Sequence, residues 1–308
     1  MKKYERKKVL LMANMSAGQG SVRRNLGQII EYLTMDGCEV TVYPVLPSHG
    51  LGSETIISEK AEDYDTVVVC GGDGSLNFAV NALVKSGIDK PIGYIPAGTT
   101  NDFARSLDGG GTLEEICHRI AMGNPFPYDI GRFNDRYYNY VAAFGAFTKS
   151  SYMTSQQAKN LLGYGAYVLN SIGSLAEDLS FKTKISYEYE EGEDEISVLY
   201  GSISNSSSVG GITLPFGTDT ELDDGLFEVL FVIAPENPAD LVGLASNLAS
   251  GIYDEEHIRL FRCRSIRIHA DRDIEWTLDG EPGGSHRDVE ICVLPKAVSI
   301  MRDQEEKS

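Results

Sequence analysis

A glycine-dense turn between a strand and a helix constrains this chain more than any other feature. Asp65-Thr66-Val67-Val68-Val69-Cys70 is rich in β-branched residues and predicts a buried strand. Leu76 to Val84 predicts a helix closed by Gly87. Between them stands Gly71-Gly72-Asp73-Gly74-Ser75. Glycine lets backbone N–H groups approach a ligand closely, and a helix N-terminus adds partial positive charge. Both suit phosphate oxygens. Asp73 is the odd member, because a carboxylate beside phosphates needs a cation or a substrate hydroxyl between them. The plain alternative is a tight turn with Ser75 as helix N-cap.

The neighbours of that turn predict the fold class. Lys8 to Asn14 reads as a first strand, Ser21 to Leu33 as a helix capped by Ser21 and ended by Gly37, and Cys38 to Tyr43 as a second strand. Ser53 to Ala61 follows as a short helix. Lys90 to Pro96 is a fourth strand, and Thr112-Leu113-Glu114-Glu115 has the spacing of a capping box that opens a helix ending near Gly123. Strand and helix alternating in this way predict a parallel α/β layer. The loops at Asn14, Gly71 and Gly98 would then share the carboxyl ends of the strands, where ligands bind.

After Pro125-Phe126-Pro127 the pattern changes. Tyr128–Phe133 and Arg136–Val141 predict a hairpin around Asn134-Asp135. A Tyr-rich helix is expected from Ser155 to about Leu179. Strands are expected at Phe181–Tyr189, Ile196–Ser204, Gly225–Ile233, Ser265–Ala270, Ile274–Leu278 and Asp288–Leu294. The reading is α/β plus all-β. Residues 1–127 are expected as a parallel α/β domain, and 128–308 as an antiparallel β-sandwich whose last residues have room to return to the first domain.

Charge and cysteine usage narrow the partners. With 27 Lys and Arg against 45 Asp and Glu, the formal charge is −18. That disfavours nucleic acid, whose phosphates need clustered cations. Basic clusters at Lys2, Lys3, Arg6, Lys7 and Lys8, and at Arg259, Arg262, Arg264 and Arg267, read as solvated faces. The five cysteines are scattered without C-x-x-C spacing, which predicts reduced thiols in a cytoplasm. The five histidines have no metal spacing, and Trp276 reads as a packing residue. No apolar run approaches the roughly 20 residues that cross a bilayer.

The glycine loops form neither a Rossmann fingerprint nor a P-loop. Arg23 stands where G-x-G-x-x-G would need its third glycine after Gly18-Gln19-Gly20, and no G-x-x-x-x-G-K-[ST] occurs. Together, Gly71-Gly72-Asp73-Gly74-Ser75-Leu76-Asn77 and Pro96-Ala97-Gly98-Thr99-Thr100-Asn101-Asp102 resemble the diacylglycerol kinase catalytic-domain family. That family includes sphingosine and ceramide kinases and bacterial lipid kinases. Asn14-Met15-Ser16-Ala17-Gly18 is similar to its nucleotide loop, with Met15 in place of proline. Asp223-Asp224-Gly225-Leu226 and Asp279-Gly280-Glu281 match its two later motifs in order.

The resemblance implies an ATP- and Mg²⁺-dependent lipid kinase, acting on diacylglycerol in the cytoplasm with peripheral contact to a membrane. It implies ATP lying between the domains, its phosphates over Gly71, Gly72, Gly74, Ser75 and Asn77, with Asn14, Ser16, Gly18 and Thr99 in the nucleotide site. It implies Glu281 as the base that takes the lipid hydroxyl's proton. It also implies Asp224 holding Mg²⁺ with the carbonyls of Glu221 and Leu226, linked to Asp73 as a catalytic residue. A homodimer is compatible with the chain. Phe78 stands where the family has an acidic residue, and Val45 near a common Thr.

Taken one at a time, Asp223-Asp224-Gly225 and Asp279-Gly280 are equally compatible with plain turns. An NAD kinase-like small-molecule kinase and a catalytically silent member of the fold remain open as alternatives. Tyr152, Met153, Leu161, Leu162, Tyr164, Tyr167 and Leu169 read as helix packing or as the lining of an acyl-chain cleft.

Overall fold

Buried apolar residues in unbroken runs set the first sheet. The computed structural model describes residues 6–98, 101, 103–104, 107, 110–145, 182–205, 208–209, 212–213, 221–237 and 256–303. The chain divides into two units, Met1–Asp129 with Pro295–Ser308, and Ile130–Leu294. The expected helix over 155–179, its apolar residues, Thr99 and the lysines at positions 2 and 3 lie outside the described residues.

In the first unit, β1 (Lys7–Ala13) is flanked by β2 (Cys38–Pro44) and β3 (Thr66–Gly71), and β3 by β4 (Ile92–Pro96). Every one of these pairs is parallel. All six residues of β3 are buried, as a strand covered on both faces requires. The order β2-β1-β3-β4 reverses direction at β1, so the carboxyl ends of β1 and β3 flank a topological switch point.

Helices cover the layer. The helix α1 (Ser21–Met35) and α4 (Leu113–Met122) share a core with Val9, Leu11, Val68 and Cys70. The helices α2 (Ser53–Lys60) and α3 (Asp73–Ser86) pack on each other. The Thr112 capping box forms, with Thr112 Oγ1 accepting from Glu115 N at 3.3 Å and Thr112 N donating to Glu115 Oε2 at 2.7 Å. The bonds that Thr112 N and Thr112 Oγ1 donate to the Glu115 carboxylate favour its ionised form and hold it below the usual carboxylate range.

Two expected caps are corrected. Gly20, left-handed at φ 82, takes the N-cap that Ser21 was expected to hold. Gly72 takes the one assigned to Ser75, so α3 starts at Asp73 rather than Leu76. In both cases glycine supplies the turn and the hydroxyl falls inside the helix. The basic residues at the N-terminus are not all solvated either. Lys7 Nζ donates to the carbonyls of Ile120 and Ala121 at 2.9 and 3.3 Å, in the last turn of α4, where carbonyls lack helical partners.

The second unit is antiparallel. Strand β5 (Asn124–Phe133) pairs with β6 (Arg136–Tyr138). Next come β7 (Val141–Gly145), β8 (Thr183–Tyr189), β9 (Gly192–Ser204) and the short pair β10 (Ser208–Val209) and β11 (Ile212–Thr213). The last four are β12 (Phe227–Ile233), β13 (Ile258–Cys263), β14 (Ser265–Leu278) and β15 (Glu281–Arg302), whose end from Pro295 belongs to the first unit and pairs in parallel with β4 at Ile300. Strands β7 and β8 share one lane between β9 and β14. The first pairs with residues 200–204 and 276–278, the second with 192–198 and 266–270. Trp276 packs between Phe133 and Phe144, with ring centroids 5.0 and 4.5 Å away.

Several expected strands change. The two segments over 265–278 are one strand, bent by a register shift between His269 and Ile274. Strand β13 was hidden among arginines. Arg262 lies 3.3 Å from the carboxylate of Glu228, which is 1% exposed, so this cluster is not simply a solvated face. The hairpin strand expected to reach Val141 stops at Tyr138, for a reason that concerns Asp279 below.

All five thiols are free, and only Cys292 is other than buried. Burial pushes Cys70, Cys117 and Cys263 up to about 12. Ellman's reagent at pH 8 is therefore expected to titrate one thiol, Cys292, in the folded protein and five in denaturant. A thiol whose folded value is raised keeps its stabilising contribution below the unfolded value of about 9 and loses it as pH rises toward about 12. Thermal stability should accordingly decline across this alkaline range, read as a falling Tm.

Candidate active site

Three loops at the carboxyl ends of β1, β3 and β4 close on one another. Asn14 is tied to β3 by its amide, which donates to the Cys70 carbonyl at 2.9 Å. Its side-chain Nδ2 donates to Ser75 Oγ at 2.9 Å, and its Oδ1 accepts from Ser16 N at 3.1 Å. Ala97 N donates to the Gly71 carbonyl at 2.8 Å, joining the third loop to the second. A Cβ on Gly98 would lie 2.8 Å from the Gly72 Cα, so the two backbones touch where only hydrogen atoms fit. A Cβ on Gly18 would meet the Ala97 carbonyl oxygen at 2.3 Å, which brings the first loop against the third.

The structure thus gathers Asn14, Ser16, Gly18, Gly71, Gly72 and Ser75. Gly74 sits in the first turn of α3. Asn77, in the second turn of α3, is 7% exposed, and its Oδ1 accepts from Asn81 Nδ2 at 3.2 Å. Asp73 is the first residue of α3, where the helix dipole favours a carboxylate. Its Oδ1 accepts from Tyr94 Oη at 3.3 Å and from Phe103 N at 3.4 Å. Neither partner was singled out from the sequence, since a tyrosine in a buried strand carries no sign of it. Asn101 was likewise read only as part of its loop. It is left-handed at φ 49, and its Oδ1 accepts from Gly98 N at 2.8 Å.

The second unit carries the other expected residues. Asp224 Oδ1 accepts from Leu226 N at 2.9 Å, an Asx turn completed by Gly225 at φ 78. Glu221 is exposed and Asp224 half-buried. Among the described residues no three His, Cys, Asp or Glu side chains cluster as metal ligands. The chemistry of this turn still fits Mg²⁺, a hard cation held by one or two carboxylates and other oxygens rather than by an all-protein cage. Asp224 would supply a carboxylate oxygen, and Glu221 and Leu226 backbone carbonyls.

Asp279 and Gly280, at φ 51 and 82, form the two-residue turn between β14 and β15, closed by the Leu278–Glu281 pair. Glu281, half-buried, is the first residue of β15. A cavity of about 690 Å³ lined by Glu188, Glu195, His269 and Asp288 contains none of the expected site residues.

Comparison with known proteins sets these features in a class. Residues 8–133 match the model of the diacylglycerol kinase catalytic domain. Residues 146–302 match that of the YegS C-terminal NAD kinase beta sandwich-like domain. The class is a kinase with a catalytic domain followed by a sandwich-like domain. A diacylglycerol kinase of Staphylococcus carnosus (strain TM300) is 31% identical over 91% of this chain and 90% of the relative. Another, from Staphylococcus aureus (strain MRSA252), is 30% identical over 91% and 87%. The chain belongs to the bacterial diacylglycerol kinase-like family of lipid kinases. The fold is shared with a solved diacylglycerol kinase from Bacillus anthracis str. Sterne, at a TM-score of 0.75 and 22% identity over 98% of both chains.

Proposed function

We propose that the protein transfers the γ-phosphoryl group of ATP to the free hydroxyl of diacylglycerol, forming phosphatidate at a membrane surface. The observation that carries this reading is the lock between Gly72 and Gly98, which sets two loops at the N-terminus of α3 with Asp73 in its first turn. Backbone amides there suit the phosphates of ATP. The named relatives, similar over nine-tenths of the chain, supply the lipid as acceptor.

In this reading Glu281 accepts the proton of the lipid hydroxyl. The oxygen then bonds to the γ-phosphorus as the bond to the β,γ-bridging oxygen breaks, and ADP leaves. Asn14, Ser16, Gly18, Ser75 and Thr99 bind the nucleotide, and Asp73 orients the cation side of the phosphates. Mg²⁺, when bound, neutralises phosphate charge. Among the described residues no helix is long and apolar enough to cross a membrane, so access to lipid is proposed to be peripheral.

Labelled ATP with Mg²⁺ and mixed micelles of diacylglycerol, sphingosine, ceramide or phosphatidylglycerol, alongside free NAD, tests the proposal. Labelled phosphatidate is expected. Product from NAD and from none of the lipids would overturn it.

A further inference from the structure

An aspartate in a two-residue hairpin turn ordinarily faces water, and aspartates are rarely buried without partners. Asp279 is 4% exposed. Its carboxylate accepts four hydrogen bonds from one short segment. Oδ2 accepts from Asn139 N at 2.7 Å and Asn139 Nδ2 at 3.0 Å, and Oδ1 from Tyr140 N at 2.9 Å and Val141 N at 3.2 Å. Its own amide donates to the Val141 carbonyl at 2.8 Å. Three successive backbone amides thus wrap one carboxylate, as they would wrap a bound anion. The segment lies between β6 and β7, and its N–H groups turn to Asp279 instead of extending the hairpin ladder.

We propose that Asp279 is a positioning residue for Glu281. Anchored on 139–141, it holds the left-handed turn from which Glu281 leaves two residues later. This rests on reading Glu281 as the base. Charge-assisted hydrogen bonds are the stronger kind, and four of them fix a turn whose next-but-one residue must meet a proton within hydrogen-bond reach. An amide at position 279 keeps the shape but loses the charge and turns an NH₂ toward at least one N–H donor.

The test compares Asp279→Asn, Glu281→Gln and the double variant, each checked for Tm. Asp279→Asn is expected to lower kcat about 100-fold, the scale on which a small misplacement acts, with KM for ATP within about twofold of the parent. The double variant should be no slower than Glu281→Gln alone, because a residue acting through Glu281 has nothing left to position. Multiplying losses, or a lowered Tm with unchanged kcat, would overturn the proposal. Should Asp279→Asn fail to fold, Asn139→Ala removes one of the four donors. A roughly fivefold loss of kcat is expected there, in line with the loss of one charge-assisted hydrogen bond, and unchanged kcat would count against the idea.

Hydrogen exchange separates this outcome from a failure of the kinase reading, since it needs no turnover. In Asp279→Asn, or in Asn139→Ala, amides of 139–141 and of Gly280, Glu281 and Gly283 should both exchange faster than in the parent. Faster exchange at 139–141 alone would show that the anchor does not hold Glu281. Parent-like turnover in Glu281→Gln would instead remove the base from the mechanism.

Discussion

Glu281→Gln is expected to lower phosphoryl transfer about 1,000-fold while ATP binds nearly as before. The amide matches the carboxylate in size and leaves the Leu278–Glu281 pair that closes the turn. It cannot accept a proton, so the lipid hydroxyl must lose its proton unaided. The nucleotide loops belong to the first unit and Glu281 to the second, so the substitution leaves the residues around Gly72 unchanged. Single-turnover transfer with labelled ATP gives the rate, and calorimetric titration with a non-hydrolysable ATP analogue gives the affinity. Transfer at the parent rate would exclude Glu281 as the base.

The second large effect is expected at Gly98. A methyl group there would sit 2.8 Å from the Gly72 Cα and 2.8 Å from Asn101 Oδ1. The Asn101 atom is the end of a side chain, but the backbone of Gly72 opens α3 and cannot move without moving the amides of its first turn. Gly98→Ala should therefore weaken ATP binding and lower phosphoryl transfer about 100-fold, the loss a misplacement of roughly 1 Å brings. Gly72→Ala, whose methyl would lie 3.2 Å from the Gly98 Cα, should be milder. Titration with ATP and a thermal melt of each variant check this. ATP affinity equal to the parent in Gly98→Ala would show that contact between the loops does not set the phosphate site.

The parallel layer was legible because its signals are local. A buried apolar run marks β1 and a buried β-branched run β3, Gly87 at φ 67 ends α3, and Thr112 with Glu115 starts α4. The antiparallel unit was less legible. Strand β13 carries Arg259 and Arg262 three positions apart, which breaks the period-2 pattern, and the charges hid a strand whose Arg262 serves a buried Glu228. Tyr138 and Val141 looked continuous because nothing local says that a carboxylate far along the chain takes the intervening amides. The site shows the same division. Gly71 to Ser75 announced themselves by composition, whereas Tyr94 and Phe103 on Asp73 did not.

What the sequence by itself determined is the order of motifs, the alternation that builds the first layer, and the residue types able to bind phosphate, hold a cation and take a proton. These follow from backbone periodicity and side-chain chemistry, which act over a few residues. Only the tertiary structure decided that Gly72 and Gly98 touch, that Asn14 reaches Ser75, and that Asp279 faces inward onto 139–141. Each of those contacts joins residues tens to well over a hundred positions apart, and chain packing, not local preference, selects which groups meet.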